Sequence, residues 1–320
     1  MAILPVTALP RHLLVKCFLL DNVPSIAVQA EPRVSYASWI PDAHYPHDEV
    51  TRLPLLVAIH GSHREDHRCL NLWKDFANEH KCAVVAPLFP AMIQGPLDGE
   101  GYHYLGRAPA MGGMLAKAIA AKSVATDSPI AGLDDTSIRY DRVLLHILDE
   151  VSIRWPAIET SRIFLTGYSG GGQFVHRFAY FHADRLAALS VGAPGAVTKL
   201  DPSTPWPLGT GGMEDVFGGD LVNIDALRKV PILAVVGGED IGSEVAELSN
   251  VLKGSQSGSV EDGPRSRIAL LESLAQNWRD NGIGVKFVVV PGVGHNMEGV
   301  NGPVSDFMTE HIDAWWAARQ

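Results

Sequence analysis

Residues 162–172 read RIFLTGYSGGG. Arg162 to Thr166 is a short apolar, β-branched run, the pattern of a buried strand. Gly167-Tyr168-Ser169-Gly170-Gly171 follows at once and fits G-x-S-x-G, a pattern too short to carry weight alone. Its setting makes it informative. From Gln173 to His182, Phe174, Phe178 and Phe181 recur at spacings of four and three, one face of a helix. A tight turn between strand and helix lifts the Ser169 hydroxyl clear of the sheet in a strained backbone geometry, and Gly167 and Gly171 leave room for the close packing it forces. Ser169 then stands at a helix N-terminus, where free N–H groups and the helix dipole favour developing negative charge.

The same alternation extends in both directions. Leu55 to Ile59, Cys82 to Ala86, Leu186 to Val191, Ile232 to Val236 and Val285 to Val290 are further apolar runs of strand length, and Arg33 to Ile40 suits an edge hairpin strand. Ser266 to Asp280 carries Ile268, Leu271, Leu274 and Trp278 on one stripe and stops at Asn281-Gly282. Pro303 opens a C-terminal helix with Phe307, Met308, Ile312, Trp315 and Trp316 turned to the sheet. Strands alternating with helices predict an α/β fold, a mostly parallel sheet covered on both faces. Two stretches break the rhythm: 91–137, Gly- and Ala-rich with Tyr102-His103-Tyr104, and 192–229, with Pro205-Trp206-Pro207 and several Gly pairs. Both leave the carboxyl ends of strands, where open α/β sheets bind ligands. Residues 254–265 (GSQSGSVEDGPR) read as a surface excursion, and no internal repeat is present.

Composition narrows the partners. The 320 residues are 46% apolar and 19% charged, and 26 Lys plus Arg against 36 Asp plus Glu leave a net charge of −10. Such a chain has a core to bury, and without a Lys/Arg run it repels phosphate backbones and anionic lipid, so nucleic acid and membrane are not expected partners. No stretch reaches the roughly 18 apolar residues of a membrane helix. Cys17, Cys69 and Cys82 are odd in number and irregular in spacing, which favours a reducing, cytoplasmic compartment over a disulfide framework. Leu13 to Leu20 is broken by Lys16, so despite the small residues near Val28-Gln29-Ala30 it makes a poor secretion signal.

A serine needs a base to become a nucleophile, and the base needs a carboxylate to orient it. Of 13 histidines, His295 follows the strand VKFVVV and Pro291 in the Gly-flanked loop Gly292-Val293-Gly294, on the same sheet edge as Ser169. His60, His103, His176 and His182 lie in a turn, a long loop or a helix and are weaker candidates. For the carboxylate, Asp240 leaves Ile232 to Val236 through Gly237-Gly238-Glu239, with Glu239 and Asp201 as rivals. Two backbone donors complete the set for a tetrahedral oxyanion: the N–H of Gly170, and that of Ser62 in the turn His60-Gly61-Ser62. Tyr102, Tyr104, Trp206 and Phe217, on the two long loops, are candidates for an aromatic substrate-binding wall.

With IHGS at 59–62, GYSGG at 167–171, GGED at 237–240 and GVGH at 292–295, the chain resembles the α/β-hydrolase superfamily from about Arg33 to its C-terminus. Residues 138–195, a helix over Tyr140 to Ile153 and Arg154-Trp155-Pro156 leading into RIFLTGYSGGG, are similar to polyhydroxybutyrate-depolymerase-like and feruloyl-esterase-like hydrolases. The resemblance implies one α/β-hydrolase domain over 1–320, with 1–32 an extension and 91–137 and 192–229 insertions near the active site. It implies nucleophile Ser169, acid Asp240, base His295 and oxyanion donors Ser62 and Gly170, in the chain order Ser, Asp, His of that fold. No cofactor is implied. The expected substrate is a small-molecule carboxylic ester; an amide, a lactone or a carbon–carbon bond beside a ketone suits the same machinery. Those relatives are often secreted and carry disulfides, from which this chain departs.

Two other readings compete. His60, His63 and His67, with Glu65 and Asp66, offer imidazole and carboxylate to a metal-dependent hydrolase, but H-x2-H-x3-H matches no named zinc motif. A non-catalytic binding protein on the same scaffold is the other, since fold alone does not dictate function.

Overall fold

Aliphatic and β-branched runs build the middle of the sheet. The computed structural model describes residues 3, 25–41, 52–91, 101–107, 138–241 and 266–319. Cys17, the apolar run 13–20, the surface excursion 254–265, and residues 92–100 and 108–137 of the first long loop lie outside them. The described strands are β1 (Ile26–Ala27), β2 (Ser35–Trp39), β3 (Leu53–Ile59), β4 (Ala83–Leu88), β5 (Ile158–Tyr168), β6 (Leu186–Gly192), β7 (Ile232–Gly237) and β8 (Val285–Val290). They form one sheet in the order β1-β2-β4-β3-β5-β6-β7-β8. β1 pairs antiparallel with β2 and β2 antiparallel with β4; all other pairs are parallel. Every residue of β3 and β7 is buried, as in strands with helices on both faces.

The helices are α1 (Asp66–His80), α2 (Tyr140–Arg154), α3 (Gly170–His182), α4 (Met213–Val216), α5 (Ile224–Leu227), α6 (Arg267–Asp280) and α7 (Asn301–Ala317). From β3 the chain runs through α1 to β4, then returns past β3 to β5, β6, β7 and β8. Right-handed crossovers therefore place α1 on one face and α2, α3 and α6 on the other. α7 packs beside α1. The direction of travel reverses between β3 and β5, so their carboxyl ends form a topological switch point. His60-Gly61-Ser62 leaves β3 and Ser169 leaves β5 at this place.

All six of the expected core strands and the expected helices are present, with ends shifted by a few residues. Besides the short helices α4 and α5 inside 192–229, two elements near the N-terminal end of the sheet go beyond the expectation. α1 buries Cys69, Leu70, Trp73, Phe76 and Ala77, a helical spacing set inside a charged, His-rich segment. β1 adds a strand ahead of Arg33, with Val28 just after it buried and its N–H bonded to Val34 O. No helix among the described residues is long and apolar enough to cross a membrane.

Candidate active site

Ser169 occupies the turn between β5 and α3 with φ 57° and ψ −116°, a region that L-residues rarely adopt and that costs about 1–3 kcal/mol to hold. Two main-chain hydrogen bonds hold it there: its N–H donates to Gly192 O at the end of β6, and its C=O accepts from Gln173 N–H in α3. The residue is half-buried.

Asp240 and His295 follow β7 and β8, the two strands beyond β6. The loop after β8 must bend back over the end of β7 to bring an imidazole to Ser169. Gly237 makes that crossing possible, since a Cβ there would lie 2.2 Å from Val293 O and 2.4 Å from Gly294 O. Hydrogen bonds from Gly238 N–H to Val290 O and from Glu239 N–H to Val293 O fasten the crossing. His295 Nε2 is then 2.9 Å from Ser169 Oγ, and His295 Nδ1 is 2.6 Å from Asp240 Oδ2. A carboxylate only accepts, so Nδ1 carries the proton and Nε2 offers its lone pair to the serine hydroxyl.

Asp240 is buried, and Arg267 NH1, at the start of α6, donates to its second oxygen at 3.2 Å. Burial pushes the Asp240 carboxyl up, but the His295 hydrogen bond and the charges of His295 and Arg267 outweigh it and hold the group below the usual carboxylate range. Tyr168 OH sits 3.5 Å from Asp240 Oδ2 and 3.4 Å from His295 Nδ1. Burial, then the Asp240 charge, raises that phenol, so it stays a donor.

On the other flank of Ser169 lies the turn after β3. Gly61 lies beside Ser169: a Cβ there would be in ordinary contact, 3.7 Å from Ser169 Cβ. Ser62 follows, exposed, with its Oγ 3.3 Å from His103 Nε2. The same imidazole presses on Gly170: a Cβ at Gly170 would meet His103 Nε2 at 2.2 Å and Tyr102 OH at 2.6 Å. Ser62 and Gly170 are thus gathered around one imidazole, that of His103, beside Ser169.

No protein-family model and no curated protein matches the sequence. Solved structures do match. The chain superposes on a poly(3-hydroxybutyrate) depolymerase from Bordetella parapertussis with TM-score 0.62 and 19% identity, covering 95% of this chain and 94% of that one. The fold is that of the α/β-hydrolases. Poly(aspartic acid) hydrolase-1 from Sphingomonas sp. KT-1 matches with TM-score 0.59 and 18% identity over 85% and 92% of the two chains. A ferulic acid esterase matches with TM-score 0.53 and 13% identity over 91% and 96%.

Within this α/β-hydrolase frame the rival carboxylates are elsewhere. Glu239 is exposed, and Asp201 spends its oxygens on Ser203 and Thr204 in its own turn. His60, His63 and His67 do not gather into a metal-ligand group. His60 is buried, donates from Nδ1 to Gly61 O and accepts at Nε2 from Phe89 N–H, and burial pushes its pKa down to about 3. It pins the loop after β4 to the end of β3, while His63 and His67 are exposed.

In place of an open aromatic wall, the four loop aromatics pack the long loops onto α3. Tyr102 is fully buried, its OH donating to His60 O and its ring against Phe89, Phe174 and Tyr140. The buried guanidinium of Arg177 lies over the rings of Tyr104 and Trp206, which meet each other edge to face, and Phe217 packs on Trp206, Phe181 and Arg139. Of the four, only Trp206 keeps appreciable exposed surface. Arg267 and His103 are the site neighbours that the sequence left unassigned. Arg267 had one signal: a cation opening a helix runs against the helix dipole and needs an anion in front of it.

Proposed function

We propose that the protein is a serine hydrolase that cleaves a carboxylic ester of a small molecule through an acyl-enzyme. One observation carries the reading: an unbroken hydrogen-bonded line from Asp240 through His295 to the Oγ of a serine held in a strained strand-to-helix turn. Ser169 attacks the carbonyl while His295 Nε2 takes its proton, and Asp240 fixes the tautomer and stabilises the imidazolium. The N–H groups of Ser62 and Gly170 receive the oxyanion, with the N-terminal dipole of α3 behind them. His295 then returns the proton to the leaving alcohol and activates water against the acyl-enzyme.

An ester is the first choice of substrate because a polyester depolymerase and a ferulic acid esterase share the fold. A cytoplasmic setting agrees with Cys69 and Cys82, which are both free and buried. Labelling with a fluorophosphonate probe and mapping the modified peptide tests the nucleophile, and a panel of aryl and alkyl esters beside matching amides tests the bond. The expected result is a single adduct at Ser169, absent in Ser169→Ala, with kcat of that variant lower by about 10³-fold or more. An intact, unlabelled protein, or near-normal turnover by Ser169→Ala, overturns the proposal.

A further inference from the structure

His103 has a second consequence for the acyl-transfer reading, and it begins with Arg177. The Arg177 guanidinium is buried in α3 and can only donate. Its NH1 donates to His103 O at 2.7 Å and to Gln173 Oε1 at 3.3 Å, and its Nε to Thr198 Oγ1 at 2.9 Å. The contact with Gln173 fixes the amide: oxygen toward Arg177, NH2 toward His103 Nδ1, 3.5 Å away. An amide NH2 has no lone pair to offer, so Nδ1 must accept and the ring proton sits on Nε2. That N–H faces Ser62 Oγ at 3.3 Å. The Ser62 oxygen therefore accepts from His103, and its own proton is left to give elsewhere.

Where it goes follows from the surroundings. Gly61 lies beside Ser169, His103 Nε2 lies against Gly170, and the Ser62 hydroxyl touches that same Nε2, which brings it to the flank of Ser169 that carries the Gly170 N–H. We infer that the Ser62 hydroxyl is a third oxyanion donor, additional to the backbone N–H groups of Ser62 and Gly170, and that the relay Arg177–Gln173–His103 orients it. This rests on the serine hydrolase reading above. A side chain whose oxygen is engaged by an N–H donor is polarised toward giving its proton, and the gain grows as negative charge develops on the substrate oxygen. The contacts at 3.3 and 3.5 Å are long, as catalytic hydrogen bonds are before the transition state forms.

Kinetics on p-nitrophenyl butyrate test the inference. Ser62→Ala keeps the backbone N–H and removes only the hydroxyl. It should lower kcat by about 100-fold, the cost of one oxyanion donor, with KM within about threefold. Ser62→Thr, which restores a hydroxyl, should recover much of the loss. His103→Ala should show a loss of similar kind, His103→Gln, whose amide can donate from nearly the same point, should be partly rescued, and the double variant Ser62→Ala/His103→Ala should be no slower than Ser62→Ala alone. A kcat for Ser62→Ala within about threefold of wild type, or losses that add in the double variant, overturns the inference while Ser169 still takes the fluorophosphonate. Failure of the wild-type protein to label at Ser169 instead removes the hydrolase reading itself.

Discussion

Replacing Asp240 by Asn keeps the side-chain shape, and Arg267 decides which way the new amide faces. In the native site one carboxylate oxygen accepts from His295 Nδ1 at 2.6 Å and the other from Arg267 at 3.2 Å. The amide has one acceptor and one donor end. Turning its NH2 toward Arg267 would set two buried donors against each other, at a cost of about 1–3 kcal/mol. The amide oxygen therefore faces Arg267 and the NH2 faces His295, whose Nδ1 must now accept. The ring proton moves to Nε2, and His295 presents N–H instead of a lone pair to Ser169. A wrong tautomer of this kind costs about 10⁴ in kcat, or about 5 kcal/mol of barrier.

The orientation part of that loss is separable. If the guanidinium imposes about 1–3 kcal/mol on the productive amide orientation, removing it should return about 5- to 150-fold of rate. Asp240→Asn/Arg267→Met should thus be faster than Asp240→Asn, although it has lost one more polar group. The assay is kcat/KM on an activated aryl ester for the wild type, both single variants and the double, with thermal melts to show that each is folded. A double variant no faster than Asp240→Asn refutes the orienting role of Arg267. Asp240→Asn within tenfold of wild type refutes the role of Asp240.

Gly170→Ala should place a methyl 2.2 Å from His103 Nε2 and 2.6 Å from Tyr102 OH, both on buried side chains, and overpacking of this sort costs about 1–3 kcal/mol; urea unfolding and kcat should both fall, and a neutral effect would show that the flank is loosely packed. Asp141 predicts the acid response. Burial alone would raise its carboxyl, but hydrogen bonds from His182 and Arg139 outweigh burial and hold it at about 2, against an ordinary value of 3.8. A folded pKa below the unfolded one stabilises above about pH 4, and the contribution, about 2 kcal/mol, is lost as pH falls toward 2. Urea unfolding across that window should show the decline, and Asp141→Asn should flatten it; an unchanged slope counts against the network. Chelators should leave turnover unchanged, because His60 has both ring nitrogens engaged and His63 and His67 are exposed; a rate lost to EDTA and restored by zinc would reverse this.

Residues whose position follows from local pattern and connectivity were legible in the sequence. Ser169, Asp240 and His295 each follow a β-branched run and one or more glycines, and in a parallel sheet every such run ends on the same edge. The choice among Asp240, Glu239 and Asp201 was not fixed in this way. Neighbouring residues in a turn point differently, and only the loop crossing at Gly237 shows that Asp240 turns inward beneath His295 while Glu239 faces solvent. Arg267 and His103 were harder still. Each acts on a residue of another element, and a sequence spacing carries no distance between elements.

The loop aromatics show the same limit from the opposite side. Tyr102, Tyr104, Trp206 and Phe217 stand among Gly, Ala and Pro, with no periodicity to mark a buried face, so they read as rings held out for a ligand. A ring of that size removes about 150–250 Å² from water when packed, and the chain finds partners for each: Phe89 and Phe174 for Tyr102, Arg177 for Tyr104 and Trp206, Arg139 and Phe181 for Phe217. The partners sit on α3, at the N-cap of α2 and in the turn after β4, beside elements whose own periodicity marks them as core. Arg177 joins the two outcomes. The guanidinium that Tyr104 and Trp206 cover is the one that fixes Gln173 and, through it, the tautomer of His103. Packing of the long loops and polarity beside Ser169 are therefore one arrangement.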